Sequence, residues 1–145
     1  MMSRLASVML LAVVVSVGCG KDAKIEECNA FIDKVNTSLK KIEAQTSAEV
    51  KDDKAAAAEM RQLADQYDKL ASQVAGLEIT TAELRTQALE YQKMANAAAS
   101  AARDVATAIE TKDPEKAKGA QAEFDKIVKH EDGLVSRINK FCQQE

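Results

Sequence analysis

The chain has 145 residues, 46% hydrophobic and 30% charged, with 3% aromatics, one Pro, five Gly and no Trp. That length fits one domain, and so few turn formers and aromatics exclude a sandwich or barrel, which needs many turns and β-rich strands. A formal net charge of −3 offers no basic face for nucleic acid, and a single His leaves little for acid–base or metal chemistry. The abundance of Ala, Glu, Lys, Leu and Gln is instead the usage of helical bundles.

Residues 1–18 read as a secretory signal peptide. Met1–Arg4 carry one positive charge, Leu5–Val17 run without any charge, and the small residue Gly18 precedes Cys19. The apolar run is shorter than the roughly 18 residues of a membrane span. The segment Ser16-Val17-Gly18-Cys19 resembles the lipobox of bacterial lipoproteins, with Ser16 standing where that family usually has Leu or Val. The resemblance implies that the Cys19 thiol is lipidated, that the chain is cut before it, and that the new amine is acylated. Two or more palmitate-type chains anchor stably. Gly20 after the Cys, in place of Asp, implies sorting to the outer membrane of the cell envelope.

Once Cys19 is assigned to lipid, Cys28 and Cys142 remain, in a compartment that oxidises thiols. They lie near the two ends of residues 19–145, and a bridge needs their Cα atoms within about 7 Å. We expect that bridge; the alternative is two buried free thiols.

Four amphipathic stripes follow. The first is Ile25, Cys28, Ile32, Val35, Leu39 and Ile42, with Asp22 placed to cap it. The second is Met60, Leu63, Tyr67, Leu70 and Val74, with a capping box at Thr46-Ser47-Ala48-Glu49 before it and Gly76 just past its end. The third is Leu84, Ala88, Tyr91, Ala95, Ala98, Ala102, Val105 and Ile109. It starts from a capping box at Thr80-Thr81-Ala82-Glu83, with Ile79 and Leu84 as a hydrophobic staple. Asp113-Pro114 stops it and opens the fourth stripe, Ala117, Ala120, Phe124, Ile127, Leu134, Ile138 and Phe141. Gly119 and Gly133 weaken this last helix, and Gly133 offers a place to bend.

The expected fold is all-α, an antiparallel up-down-up-down four-helix bundle over residues 19–145. An even helix count also returns Cys142 to the end where Cys28 starts. One tension is that helix one, taken from Cys28 to Ala44, is shorter than its neighbours. Either residues 45–53 bridge a step or helix two starts late. Counted outward from the Asp113 turn, Ala102 falls opposite Phe124 and Ala98 opposite Val128, so the Ala stripe reads as close packing.

Glu131 falls in the middle of the fourth apolar stripe, at about 100° per residue. A carboxylate there needs a partner or a raised pKa. Tyr67 and Tyr91 fall at nearly its level and Asn36 is within reach from helix one. The four read as a buried hydrogen-bonded layer or, alternatively, as a small polar ligand pocket. His130 reads as a surface residue; no second ligand at helical spacing makes a metal site with it. Asp52-Asp53 and Lys40-Lys41 read as solvated face or turn. No phosphate loop, Cys-x-x-Cys or nucleophile–His–acid set is present, so no enzyme and no cofactor are expected.

Residues 31–62, FIDKVNTSLKKIEAQTSAEVKDDKAAAAEMRQ, and Glu110–Ala122 resemble parts of the periplasmic b-type four-helix-bundle cytochromes. That family's Met and His haem ligands fall at Ile32 and Val135 here, so the resemblance implies architecture and no haem. Glu27-Cys28-Asn29 and Asn139-Lys140-Phe141-Cys142, together with Cys19, resemble small bacterial lipoproteins of unknown activity. That likeness implies anchor, bridge and bundle. The expected function is a non-enzymatic envelope lipoprotein, with the membrane and an envelope protein as partners. The alternative is a bundle that holds haem, metal or an apolar molecule near Tyr67, Tyr91 and Glu131.

Overall fold

A computed structural model of the protein describes residues 22–46 and 52–144. The expected signal segment 1–18, Cys19 and most of the expected Thr46–Glu49 capping box lie outside the described residues. Four helices make up the architecture: α1 (Asp22–Thr46), α2 (Asp53–Ala75), α3 (Ala82–Glu110) and α4 (Pro114–Gln143). They form an all-α four-helix bundle in which each helix packs against its neighbours in chain order and α1 closes back onto α4. The packing is uneven. α3 is the most enclosed helix and meets α2 and α4 extensively, whereas α1 rests mainly on α2 and meets α4 least.

The core is built where the apolar stripes meet. Alanine costs no side-chain entropy in a helix and lets backbones approach closely. Ala95, Ala98, Ala99, Ala102 and Ala106 of α3 are fully enclosed, receiving bulkier neighbours such as Leu70 and Leu134. Ion pairs across α3 report the antiparallel register. Arg61 meets Glu110 at 2.6 Å and Arg103 meets Asp65 and Asp68, tying α2 to α3. Arg137 meets Glu90 at 2.6 Å, tying α3 to α4 near the register counted from the Asp113 turn. These pairs are exposed, so each adds little stability and mainly marks alignment.

Several ends differ from expectation. α1 begins at Asp22, well before Cys28, which removes most of its apparent shortness. α2 starts late, at Asp53, and its cap is Asp52, whose carboxylate accepts from the Ala55 N–H at 2.8 Å. Asp52 is thus a helix cap and not simply solvated face, because a carboxylate there satisfies an otherwise orphaned amide. Gly76 follows Ala75 but is right-handed, with φ −81°, so the turn does not use a left-handed glycine. The left-handed position belongs to Lys112, φ 53°, at the end of α3. Its N–H bonds Ile109 O and the Asp113 N–H bonds Ala108 O, the paired bonds of a Schellman ending. Asp113 then caps α4 by accepting from the Lys116 N–H at 3.0 Å, with Pro114 at the first helical position, as expected.

In α1 the sequence stripe favoured Ile32, yet Phe31 is the enclosed residue, 2% exposed, and Ile32 is half-buried. The apolar face is wider than a heptad seam because Phe31 reaches α3, where its ring meets Tyr91 edge-on at 5.6 Å. Cys28 and Cys142 sit at disulfide distance, Sγ–Sγ 2.10 Å and Cα–Cα 5.8 Å, and link the start of α1 to the end of α4. A cross-link spanning 114 residues of sequence restricts the unfolded chain by about 4–5 kcal/mol in the chain-entropy account. Urea unfolding with and without a thiol reductant checks this. The oxidised chain is expected to be more stable by several kcal/mol, and coincident curves would contradict the bridge's role.

Candidate functional site

Two groups of polar side chains stand out, one inside the bundle and one at its bridged end. The inner group centres on Glu131 of α4, which is 8% exposed amid Leu134, Ile138 and Phe124. The Tyr91 hydroxyl, projected from α3, donates to Glu131 Oε1. Tyr67 lies at the same level on α2 and packs its ring edge-on against Phe124 at 6.1 Å. Burial raises the Glu131 pKa above its ordinary value, opposed by the Tyr91 hydrogen bond. Burial, and then the Glu131 charge, push both tyrosine hydroxyls upward. Because folded Glu131 holds its proton more tightly than the unfolded chain does, its contribution to stability is fully present below about 4.5. It is lost as the pH rises through the raised value. Above that raised value the buried carboxylate costs stability.

The fourth expected member of this layer, Asn36, lies elsewhere. Asn36 is half-buried and lines a small crevice of about 40 Å³ between α1 and α4, with Phe31, Val35, Val135, Ile138 and Asn139 among its walls. Tyr67, Tyr91 and Glu131 do not line that crevice. His130 is an exposed side chain with Nε2 3.6 Å from Glu90, which Arg137 already engages. Among the described residues, no three His, Cys, Asp or Glu side chains are arranged to hold a metal ion.

The bridged end is tied by more than the disulfide. Glu27 of α1 reaches the start of α3, where its Oε1 accepts from the Thr80 N–H at 2.8 Å and the Thr80 hydroxyl at 2.6 Å. Its Oε2 accepts from the Thr81 N–H at 3.0 Å. These bonds hold the Glu27 carboxyl down to about 2, so the stability they add is present above the ordinary glutamate value and lost as pH falls toward 2. The expected box led by Thr80 does not form: Thr81 is the cap residue and its side chain makes no capping bond, while Glu27 from another helix accepts from the Thr80 and Thr81 N–H groups just before the helix. Sequence reasoning missed Glu27 because the contact is non-local. The one signal was its place beside Cys28, at the end of the bundle that also holds the α2–α3 turn. Lys24 completes the end, donating to Gln144 O at 2.6 Å and lying 4.4 Å over the Phe141 ring. Arg85 donates to Ile79 O at 2.9 Å and Thr80 O at 3.0 Å, stiffening the turn.

For the inner layer, Glu131→Gln keeps an acceptor for Tyr91 and removes the buried charge. It is expected to raise stability at pH 7 by about 1 kcal/mol, an advantage that disappears below about pH 4. Glu131→Leu strands the Tyr91 hydroxyl at a cost of about 1–3 kcal/mol, and adding Tyr91→Phe restores the loss. Urea titrations at both pH values decide; a Glu131→Gln protein that is weaker at pH 7 would contradict this account. Comparison of the chain with protein-family models, with curated proteins and with solved structures returned no match, so the resemblances drawn from Cys19, Glu27–Asn29 and Asn139–Cys142 rest on those residues alone.

Proposed function

We propose that this chain is a non-enzymatic envelope lipoprotein, a helical interaction or structural module held on the outer membrane by a lipidated Cys19. The observation that carries the reading is the pairing of Cys28 with Cys142. A disulfide closing a whole domain belongs to an oxidising compartment such as the periplasm. It also accounts for two of the three cysteines and leaves Cys19, at the end of an apolar leader, for the lipid. No helix among the described residues is long and apolar enough to cross a membrane, so lipid is the means of attachment that the reading requires.

The alternative, a ligand held at the Glu131 layer, draws less support. Tyr91 already gives its hydroxyl hydrogen to Glu131, and the α1–α4 crevice does not reach them. The bundle's exterior is instead dense in charged side chains, with Leu89, 52% exposed, the large apolar side chain left out among the described residues. Such a surface suits a soluble body on a tether, and its partner is another protein of the envelope.

Cell fractionation tests the anchor. The native chain is expected in the membrane fraction, and Cys19→Ser in the soluble periplasmic fraction. A Cys19→Ser protein that stays with membranes would overturn the reading.

A further inference from the structure

We infer that the bridged end of the bundle faces the lipid surface and that the bundle stands away from it, with the Lys112–Asp113 turn at its far tip. The inference rests on the lipidated Cys19 proposed above, and adds the orientation. Three arguments carry it.

The first is reach. α1 begins at Asp22, three residues after Cys19. At most about 3.3–3.6 Å per residue, the attachment point lies within about 10 Å of the first turn of α1. That turn shares its end of the bundle with the Cys28–Cys142 bridge, the α2–α3 turn and the last turn of α4. α4, with 30 residues at about 1.5 Å each, carries the opposite tip about 45 Å away.

The second is rigidity. The bridge, the Glu27 bonds to Thr80 and Thr81, and the Lys24 contacts with Gln144 and Phe141 tie the start of α1 down at this end. They lock the first turns of α1 to two other segments, the residues before α3 and the end of α4, so a pull on Cys19 is borne by the bundle and not by a fraying helix end.

The third is the character of the sides. A bundle lying flat needs an apolar or strongly basic face. Leu89 is the exposed large apolar side chain among the described residues, and exposed Arg61, Arg103 and Arg137 are each paired with carboxylates. Removal of residues 1–18 takes away only Arg4 among the charges, moving the formal net charge from −3 to −4, so an anionic lipid surface repels the body.

The chain has no Trp, so one introduced Trp is a clean reporter. Full-length Glu78→Trp, on the exposed α2–α3 turn, and Lys118→Trp, on an exposed face near the far tip, are purified from membranes with their lipid. Each is reconstituted into phosphatidylcholine vesicles that include lipid with a nitroxide on its headgroup. The Glu78→Trp fluorescence is expected to be quenched at least about twofold more than the Lys118→Trp fluorescence, given the separation of the two ends. Equal quenching, or stronger quenching of Lys118→Trp, overturns the orientation while leaving the anchor intact. Protein that fails to float with the vesicles overturns the anchor, and the orientation with it.

Discussion

The bridge between Cys28 and Cys142 joins a ring of helices at its weakest seam. α2, α3 and α4 share an extensive core, while α1 meets α4 over little area and a crevice runs between them. Side-chain packing alone does not fasten that seam. A covalent link there holds the two ends of the bundle together and limits how far the unfolded chain can expand. The polar ties around it depend on the same geometry. Lys24 reaches Gln144 across that seam, and Glu27 ties α1 to Thr80 and Thr81 just before α3.

On the other side of the core, α3 solves a different problem. Its alanines let it sit close to two neighbours at once, and the bulk needed to fill the interior comes from Tyr67, Leu70, Phe124 and Leu134 around it. The single charge in that core, Glu131, is tolerated because Tyr91 supplies a donor at the point of burial. The hydrogen bond joins a face of α3 to a face of α4 inside the core and helps set how the two helices meet.

Much of this was legible from residue spacing. The four stripes, the Asp113-Pro114 boundary, the close-packed Ala face and the burial of Glu131 all follow from helical periodicity, because each is a local property repeated along one helix. The misreadings share a cause as well. Glu27 bonding Thr80 and Thr81, Phe31 turned toward Tyr91, and Asn36 set in the α1–α4 crevice apart from Glu131 depend on how separate helices rotate against one another. Spacing within one helix does not encode that rotation. The late start of α2, one of the two alternatives that the short first helix raises, has a local cause: the Asp52 carboxylate caps the Ala55 amide. Lys112 in a left-handed conformation has no compositional signal, since Gly is the usual choice there.

In the proposed function the cysteines connect compartment, anchor and bundle: Cys19 is the proposed lipid site, while Cys28 and Cys142 close the fold. The measurement that tests this most directly is the intact mass of the chain taken from its own membrane, read before and after reduction. The account predicts a polypeptide that begins at Cys19, carries added acyl mass, and gains two hydrogen atoms on reduction. A chain that retains its first eighteen residues without acyl mass, or one whose mass reduction leaves unchanged, would contradict it.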